Sequence, residues 1–388
     1  MNTIFECKAG ELLTALQSVS GVIDPKATIL INRNVLVEAS ADGTAKLTAS
    51  GPCVQLTAVV RLGSKADASI TLNPQAVTQY LKTYDAAQNV RVSVGGDKVE
   101  VRAGRNRSSQ RSLPARDFMP MSSIGSLGEP VKIASVVLRK LIAQTVFCAP
   151  VDDTRVYLNG VCLEIDGDTI TAISTDGHRM AVSSAVLPEA SAVKASVIIP
   201  TGVAQAILKI LADDAKGKSA PNQTPTSVTL QFASTQAVIS LGNFTIRTQL
   251  VGGKYPNWRN VLPRDTSAKA EMLAADLENC LDGANVLRDK GVYAMTFMSN
   301  TADEVSLSAK NNEQETFDSA VAAQRQGPAF MVSVNPKYIK DSMTVFGKDD
   351  ACVLSCAGDD AHLSAVMLER KTADGLDTFK YVVMPMKI

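Results

Sequence analysis

Histidine and tryptophan are scarce in this sequence. Its 388 residues include two histidines, His178 and His362, and one tryptophan. No apolar run approaches the roughly 20 residues that a membrane-spanning helix requires, and no basic segment with a small-residue cleavage site opens the chain. We therefore expect a cytoplasmic protein that does not associate with membranes.

The chain also lacks a charge excess, because 39 Lys and Arg residues balance 39 Asp and Glu residues. No strong overall field is available to hold nucleic acid by charge alone. Any function on DNA therefore needs local cations or a mechanism that does not depend on affinity.

Metal-binding and common catalytic motifs are missing. The seven cysteines are scattered and odd in number, and the one close pair, Cys352 and Cys356, matches no zinc-ribbon or thioredoxin spacing. No phosphate-binding loop, dinucleotide fingerprint or Gly-x-Ser-x-Gly elbow occurs. We expect no metal and no cofactor.

An internal repeat organises the chain. The pattern of one strand, a helix, three strands, a further strand, a second helix and more strands occurs three times. The strands Ile70 to Leu72, Val197 to Ile199 and Val332 to Val334 recur at roughly 130-residue spacing, which is the size of a domain. We predict three similar α+β domains in tandem, residues 1–126, 127–251 and 252–388, each with two helices packed on antiparallel sheets.

Two local signals refine this prediction. The dipeptides Asn73-Pro74 and Asn335-Pro336 are typical of the N-cap and first turn of a helix. The connector Gly252–Pro263 is too apolar for a free linker. We expect it to dock on a folded surface.

The stretch Thr175–Met180 is the candidate for chemistry. His178, Asp176 and Ser174 together suggest a hydrolase with a base, an orienting acid and a nucleophile. Their closeness in sequence is against convergence, since neighbouring side chains of a strand point to opposite faces. A simple hairpin turn with a surface histidine is the plainer interpretation.

A third interpretation of this stretch is a peptide-binding groove. Residues of this stretch and of the nearby Arg155–Leu158 segment combine apolar surface with a few hydrogen-bond donors, as such a groove requires. They are Arg155, Tyr157, Leu158, Thr175, Arg179 and Met180.

Several motifs together resemble one family. Tyr157-Leu-Asn-Gly160, Thr175-Asp-Gly-His-Arg179, Lys254 to Pro263 and the terminal Tyr381 to Ile388 resemble the bacterial sliding clamps, the β subunits of DNA polymerase III. Their order and spacing match along the whole chain. The resemblance implies a non-catalytic processivity factor. It also implies a head-to-tail homodimer that forms a six-domain ring around duplex DNA and is retained topologically.

The resemblance further implies a partner-peptide groove between the second and third domains. Its residues would be Arg155, Leu158, Thr175, Gly177, His178, Arg179, Met180, Pro256, Val261, Asn335, Tyr338, Val382, Val383, Met384, Pro385 and Met386. Apolar side chains would take the anchors of the peptide, while Arg155, Arg179 and the backbone satisfy its polar groups. Asn260 departs from the basic residue often found there.

The DNA-contacting cations of such a ring are expected on its helices and on one loop. They would be Lys26, Lys82, Arg139, Lys140, Lys209, Arg288, Lys337 and Lys340. The plainer alternative is that these cations are solvated helix surface. Thr201-Gly202 stands where a related clamp has two basic residues.

The dimer contact would pair the first domain of one chain with the third of another. The expected residues are Arg105, Arg107, Val286, Leu287, Glu313 and Glu315, with Ser108 and Gln110 in place of apolar residues. Expected partners are duplex DNA, a second copy, the polymerase catalytic subunit, the clamp loader, repair polymerases and mismatch-repair factors, the proteins binding through short linear peptides. The alternatives are a clamp-like scaffold that does not encircle DNA and a hydrolase that uses His178.

Overall fold

The computed structural model describes residues 2–122, 124–215, 227–284, 287, 294–311, 314–358, 364–372 and 375–386. Along these residues the same element order, βαββββαβββ, occurs three times. The predicted threefold repeat of two helices and eight strands is confirmed.

The bounds of the elements are as follows. The first repeat contains β1 Asn2–Lys8, α1 Ala9–Ser20, β2 Val35–Ala39, β3 Thr44–Gly51, β4 Val54–Arg61, β5 Ala68–Leu72, α2 Pro74–Leu81, β6 Asn89–Gly95, β7 Lys98–Ala103 and β8 Asn106–Arg111. The second contains β9 Val131–Ala134, α3 Ser135–Ala143, β10 Gly160–Asp166, β11 Thr169–Thr175, β12 Arg179–Val186, β13 Ala195–Pro200, α4 Thr201–Ala215, β14 Ser227–Phe232, β15 Gln236–Leu241 and β16 Phe244–Gln249. The third contains β17 Ala268–Leu273, α5 Ala274–Gly283, β18 Met295–Ser299, β19 Glu304–Lys310, β20 Thr316–Gln326, β21 Phe330–Val334, α6 Pro336–Met343, β22 Ala351–Cys356, β23 Val366–Thr372 and β24 Gly375–Val383.

Helix ends differ most from the prediction. The helical pattern predicts a helix from Ala134 to Phe147, but α3 ends at Ala143 and a separate 3₁₀ turn follows at Val146–Cys148. Thr145 lies between the two, and its hydroxyl donates to the carbonyl of Leu141 at 2.8 Å. A side chain that bonds to its own backbone in this way competes with helix continuation.

The predicted helix caps are confirmed. The Asn73 side chain accepts hydrogen bonds from the backbone amides of Gln75 and Ala76 at 3.0 and 3.2 Å. Asn335 does the same for Lys337 at 3.0 Å. Each proline occupies the first helical position, where no backbone donor is needed.

The described chain forms two compact units. The first comprises Met1–Arg139, Ser191–Val193 and Gly202–Val251. Its sheets have the strand orders β1-β6-β7-β8 and β5-β2-β3-β4-β16-β15-β14-β9. On α1, Leu12, Leu16 and Val19 are fully buried and Leu13 is half-buried.

The second unit comprises Lys140–Ala190, Lys194–Thr201 and Gly252–Ile388, and it contains the whole candidate groove. One antiparallel sheet runs through it in the order β13-β10-β11-β12-β24-β23-β22-β17-β20-β19-β18-β21. The pairing of β12 with β24 joins a second-repeat strand to the last strand of the chain. Phe379 and Tyr381 on β24 are fully buried and stacked, with ring centroids 6.5 Å apart.

Candidate functional site

The turn between β11 and β12 is fixed by its own side chains. The Asp176 carboxylate accepts the backbone amides of His178 and Arg179 at 2.9 and 3.0 Å. The Thr175 hydroxyl donates to the Arg179 carbonyl at 2.6 Å and accepts the Gly177 amide at 3.1 Å. Polar side chains that satisfy backbone groups in this way make an Asx-type turn with one defined shape.

Gly177 is favoured by its backbone conformation, and its lack of a Cβ leaves room for the Arg155 guanidinium. Its φ is +89°, a region that L side chains rarely adopt. A Cβ placed there would also lie 2.6 Å from Nη1 of Arg155. The conformation of the turn and the position of the Arg155 guanidinium therefore both suit a residue without a side chain.

Arg179 connects the turn to the third repeat. Its Nε donates to Asp176 at 3.0 Å, and Nη1 donates to Asp341 on α6 at 2.6 Å. The guanidinium also lies over the ring of Tyr338, 4.6 Å from the centroid, and its side chain is 11% exposed. We conclude that its donors are already used within the chain, so Arg179 shapes the groove from inside.

Arg155 is similarly engaged at the surface. Its Nη2 donates to Asp153 and to the carbonyl of Asp176, both at 2.8 Å. The hydrogen bonds from Arg155 lower the pKa of Asp153 to about 2, so this pair is charged at neutral pH. The structure thus gives both predicted arginine donors partners within the chain.

The C-terminal tail is held at two points. The Met384 amide donates to the carbonyl of His178 at 2.9 Å, and the Met386 amide donates to the carbonyl of Ser333 on β21 at 2.7 Å. Before these bonds, Val382 and Val383 pair with Met180 and Arg179 in the sheet. The tail therefore runs from the turn to the third repeat.

The apolar residues predicted for the groove fall into two groups, a buried floor and a more exposed part of the tail. The floor is buried to 2% exposure or less and consists of Leu158, Met180, Val382 and Val383. Met384 is 41% exposed, and Pro385 and Met386 are half-buried. An exposed thioether beside a buried apolar floor offers an adaptable surface to an apolar ligand side chain.

The connector Gly252–Pro263 docks as predicted. Tyr255 is buried, and Gly253 lies against Tyr157, where an added Cβ would be 3.2 Å from the Tyr157 Cβ. Trp258 Nε1 and Arg259 Nη1 both donate to Glu164 Oε2 at 3.1 Å. These contacts leave Pro256 exposed and Val261 half-buried.

The predicted residues of α6 are half-buried and bonded to neighbours. The Tyr338 carbonyl accepts the hydroxyl of Tyr381 at 2.8 Å, and burial raises the pKa of Tyr381, so this donor stays protonated. The side-chain amide oxygen of Asn335 accepts the backbone amide of Lys337 and so caps the helix. Tyr338 therefore presents its ring to Arg179 while its backbone holds β24.

The catalytic interpretation of Ser174, Asp176 and His178 fails on geometry. Ser174 is fully buried, and its hydroxyl donates to the carbonyl of Thr145. His178 is exposed at the turn, and the Asp176 carboxylate bonds to backbone amides and Arg179. A nucleophile needs its base within hydrogen-bond reach, and this serine is committed elsewhere.

Within the described ranges, no helix is both long and apolar enough to span a membrane. The same residues contain no group of three or more His, Cys, Asp or Glu side chains that could hold a metal ion. The described cysteines are all free thiols.

The predicted DNA-contacting cations lie in different environments. Lys26, Lys82, Arg139, Lys209 and Lys337 are exposed, whereas Lys140 is half-buried and Arg288 lies outside the described residues. Lys340 binds two carboxylates of α5, with Nζ 2.7 Å from Glu278 and 2.9 Å from Asp282. Its charge is therefore largely neutralised by the neighbouring helix.

The predicted dimer residues are only partly described. Arg105 is exposed in the turn before β8, and Nη1 of Arg107 lies 3.5 Å from the buried carboxylate of Glu100. Leu287 is buried and Glu315 is exposed, while Val286 and Glu313 lie outside the described residues. In the described part of the first unit, β8 is an edge strand with β7 as its one neighbour.

Sequence reasoning missed several residues that build the groove. Asp341, Tyr381 and Glu164 each bond a predicted groove residue or the connector that carries one. Glu164 could have been noticed in the sequence, because it is a charged residue in the middle of an apolar strand. Asp341 lies three residues after Tyr338, on the same helix face.

Comparisons with known proteins cover nearly the whole chain. Models of the N-terminal, central and C-terminal domains of the DNA polymerase III beta subunit match residues 3–122, 132–257 and 259–387. The beta sliding clamp of Vibrio cholerae is 30% identical over 386 residues, which is 99% of this chain and 100% of that protein. That of Pseudomonas putida is 28% identical over 99% of this chain and 100% of its own length.

A solved structure extends this similarity to the fold. The DnaN sliding clamp of Pseudomonas aeruginosa bound to griselimycin has a TM-score of 0.89 and 26% identity, with 100% of both chains covered. Together with the three domain models, these similarities establish that the chain belongs to the DNA polymerase III β-subunit family, the sliding clamps, which are non-catalytic processivity factors of DNA replication.

Proposed function

We propose that the surface formed by the Thr175–Met180 turn, the connector and the tail is the groove through which this clamp holds its protein partners. One observation carries the proposal. The tail is bonded to His178 through the Met384 amide and to Ser333 through the Met386 amide, and Met384 is left 41% exposed beside an apolar floor. An exposed methionine held beside buried apolar residues suits an apolar anchor of a short linear peptide.

The occupant we propose is a peptide with bulky apolar anchors. Arg155 and Arg179 already bind Asp153, Asp176 and Asp341, so peptide carboxylates gain little from these guanidinium groups. Burial of the peptide's apolar side chains against the exposed Met384 and Pro256 then supplies most of the affinity. Backbone groups and the exposed His178 provide the polar contacts.

DNA, a polymerase and a second copy of the chain are partners at the level of the family. We propose in addition the clamp loader, repair polymerases and mismatch-repair factors, all using the same groove, and a cytoplasmic location. We also propose that Lys26, Lys82, Arg139, Lys140, Lys209, Arg288 and Lys337 contact the duplex. Lys340 contributes least, because Glu278 and Asp282 compensate its charge.

We propose a head-to-tail homodimer closed around DNA. The exposed edge of β8 supports this, since an edge strand offers unpaired backbone groups to another chain. Arg105 and Arg107 on the first domain would meet Val286, Leu287, Glu313 and Glu315 on the third. The balanced net charge agrees with retention by topology, because a closed ring does not need tight binding.

The groove is tested with Met384→Ala in the full chain. The probe is a synthetic peptide that copies the C-terminal residues of the DNA polymerase III catalytic subunit of the same organism, and affinity is measured by calorimetry. We expect about tenfold weaker binding, as for loss of a central apolar contact. Val186→Ala is the control, because Val186 is 73% exposed on the far end of β12. Equal affinities of both variants and the wild type would contradict the groove assignment.

The ring is tested by sedimentation of the wild-type chain. A dimer at micromolar concentration is expected. A purely monomeric species would instead support the alternative of a peptide-binding scaffold that does not encircle DNA.

A further inference from the structure

One wall of the proposed groove is held in an unusual way. The connector Gly252–Pro263 carries Pro256 and Val261, and its regular structure is a single 3₁₀ turn, Trp258–Asn260. That turn is closed by bonds from Asn260 to Asn257 and from Val261 to Trp258 within the connector itself. Side-chain contacts therefore decide where this wall lies.

A three-membered contact fixes the middle of the connector. The Glu164 carboxylate on β10 accepts Trp258 Nε1 and Arg259 Nη1, both at 3.1 Å. The Arg259 guanidinium also lies over the Trp258 ring, 4.2 Å from its centroid. Each group contacts the other two, so loss of the carboxylate removes the acceptor of the indole and the counter-charge of the guanidinium.

The other described contacts of the connector lie near its start, where Tyr255 is buried and Gly253 lies against Tyr157. A cleft of about 670 Å³ adjoins Glu164 and Arg259, lined also by Thr171, Lys194 and Ser196. Lys194 is directed to another acid, Asp166, with Nζ 3.1 Å from its carboxylate. On the side of this cleft, the Glu164 carboxylate is the acceptor that attaches the Trp258–Asn260 turn to β10.

We propose that Glu164 is a positioning residue of the peptide groove. It would not touch the peptide, but it would hold Trp258 and Arg259, and through them Pro256 and Val261, at the distance that the peptide anchors require. The inference rests on the proposed peptide-binding function. Peptide affinity would then depend on Glu164 as well, although Glu164 lies 94 positions away from Trp258 in the chain.

The sole tryptophan of the chain makes the test direct. Because Trp258 is the one tryptophan in 388 residues, fluorescence excited selectively at tryptophan reports the surroundings of this side chain. Glu164→Ala, Glu164→Gln and Asp166→Ala are prepared in the full chain. Emission maximum, acrylamide quenching, unfolding midpoint and affinity for the polymerase-derived peptide are measured for each.

Graded effects are expected. Glu164→Ala should expose Trp258 to quencher and weaken peptide binding by about tenfold, the scale of one charged hydrogen-bonded contact. Glu164→Gln keeps one acceptor without the charge and should weaken binding by about threefold. Asp166→Ala lies in the same cleft on the same sheet face and should leave both quenching and affinity unchanged.

The outcomes separate the two hypotheses. If the wild type binds no peptide, the proposed function itself fails. If the wild type binds and both Glu164 variants bind equally well, despite an exposed Trp258, Glu164 has no positioning role. If Glu164→Ala does not fold, Glu164→Gln decides, since it preserves the volume of the side chain. Weaker binding by Asp166→Ala to the same degree would also overturn the proposal.

Discussion

The two walls of the groove are built by different means. The Thr175–Met180 turn joins two paired strands, and its backbone amides are satisfied by Asp176 and Thr175. The connector Gly252–Pro263 has no strand partner among the described residues and is attached through Tyr255, Trp258 and Arg259. The first wall is set by local backbone chemistry, and the second by contacts with residues far away in the sequence.

The two kinds of wall should respond differently to substitution, in stability and in peptide affinity. A turn whose hydrogen bonds close within five residues keeps its shape unless a bond or its glycine is lost. A connector held by side chains moves when one distant contact changes. We therefore expect substitutions near the turn to affect stability and substitutions around the connector to affect peptide affinity.

Truncation after Val383 should have the largest effect, because it removes the exposed Met384 and the rest of the tail. The bonds from Met384 to His178 and from Met386 to Ser333 are lost, while the β12–β24 pairs remain. Peptide affinity should fall at least about 100-fold, as when a central hot spot is removed. Calorimetry measures this loss, and removal of Lys387 and Ile388 alone is the control. Normal binding by the longer truncation would show that the tail is not part of the site.

Arg179→Ala should have the second-largest effect. It tests whether contacts of the Thr175–Met180 turn stabilise the fold. The change leaves Asp176 and Asp341 without their shared cation and removes the contact with Tyr338. The free energy of unfolding should fall by about 3 kcal/mol, as for one broken partner of a largely buried pair. Denaturant unfolding followed by Trp258 fluorescence measures the second unit. Arg155→Ala is the control, with an expected loss of about 0.5 kcal/mol for a surface pair. Similar losses for both arginines would refute the distinction.

Gly177→Ala should have the smallest effect of the three. It also tests whether the turn is held by local backbone conformation. Alanine must adopt a positive φ and also displace the Arg155 guanidinium, so unfolding should become easier by about 2 kcal/mol. Gly167→Ala in the β10–β11 turn has a φ of +64° and open space around its Cβ, so about 1 kcal/mol is expected there. The difference in unfolding midpoint isolates the clash with Arg155. Equal midpoints would mean that conformation alone makes Gly177 necessary.

Much of this protein could be predicted from sequence because the signals are local. The threefold element order, the Asn-Pro caps and the hairpin at Asp176-Gly177 all arise from residues within one or two turns of one another. The end of α3 was less predictable, since the Thr145 hydroxyl competes for the helix backbone. The motifs of the turn, connector and tail were sufficient to indicate the family.

The roles of individual groove residues were decided by tertiary structure. The sequence marks Arg179 as a candidate donor to a ligand, but folding brings Asp341, 162 residues away, within 2.6 Å of its guanidinium. Likewise Glu164 and Trp258 are 94 residues apart and meet only because folding brings the connector against β10. Local patterns determine turns, caps and strands, because their interactions close within a few residues. Which charges remain available to a partner depends on long-range packing, and no local pattern contains that information.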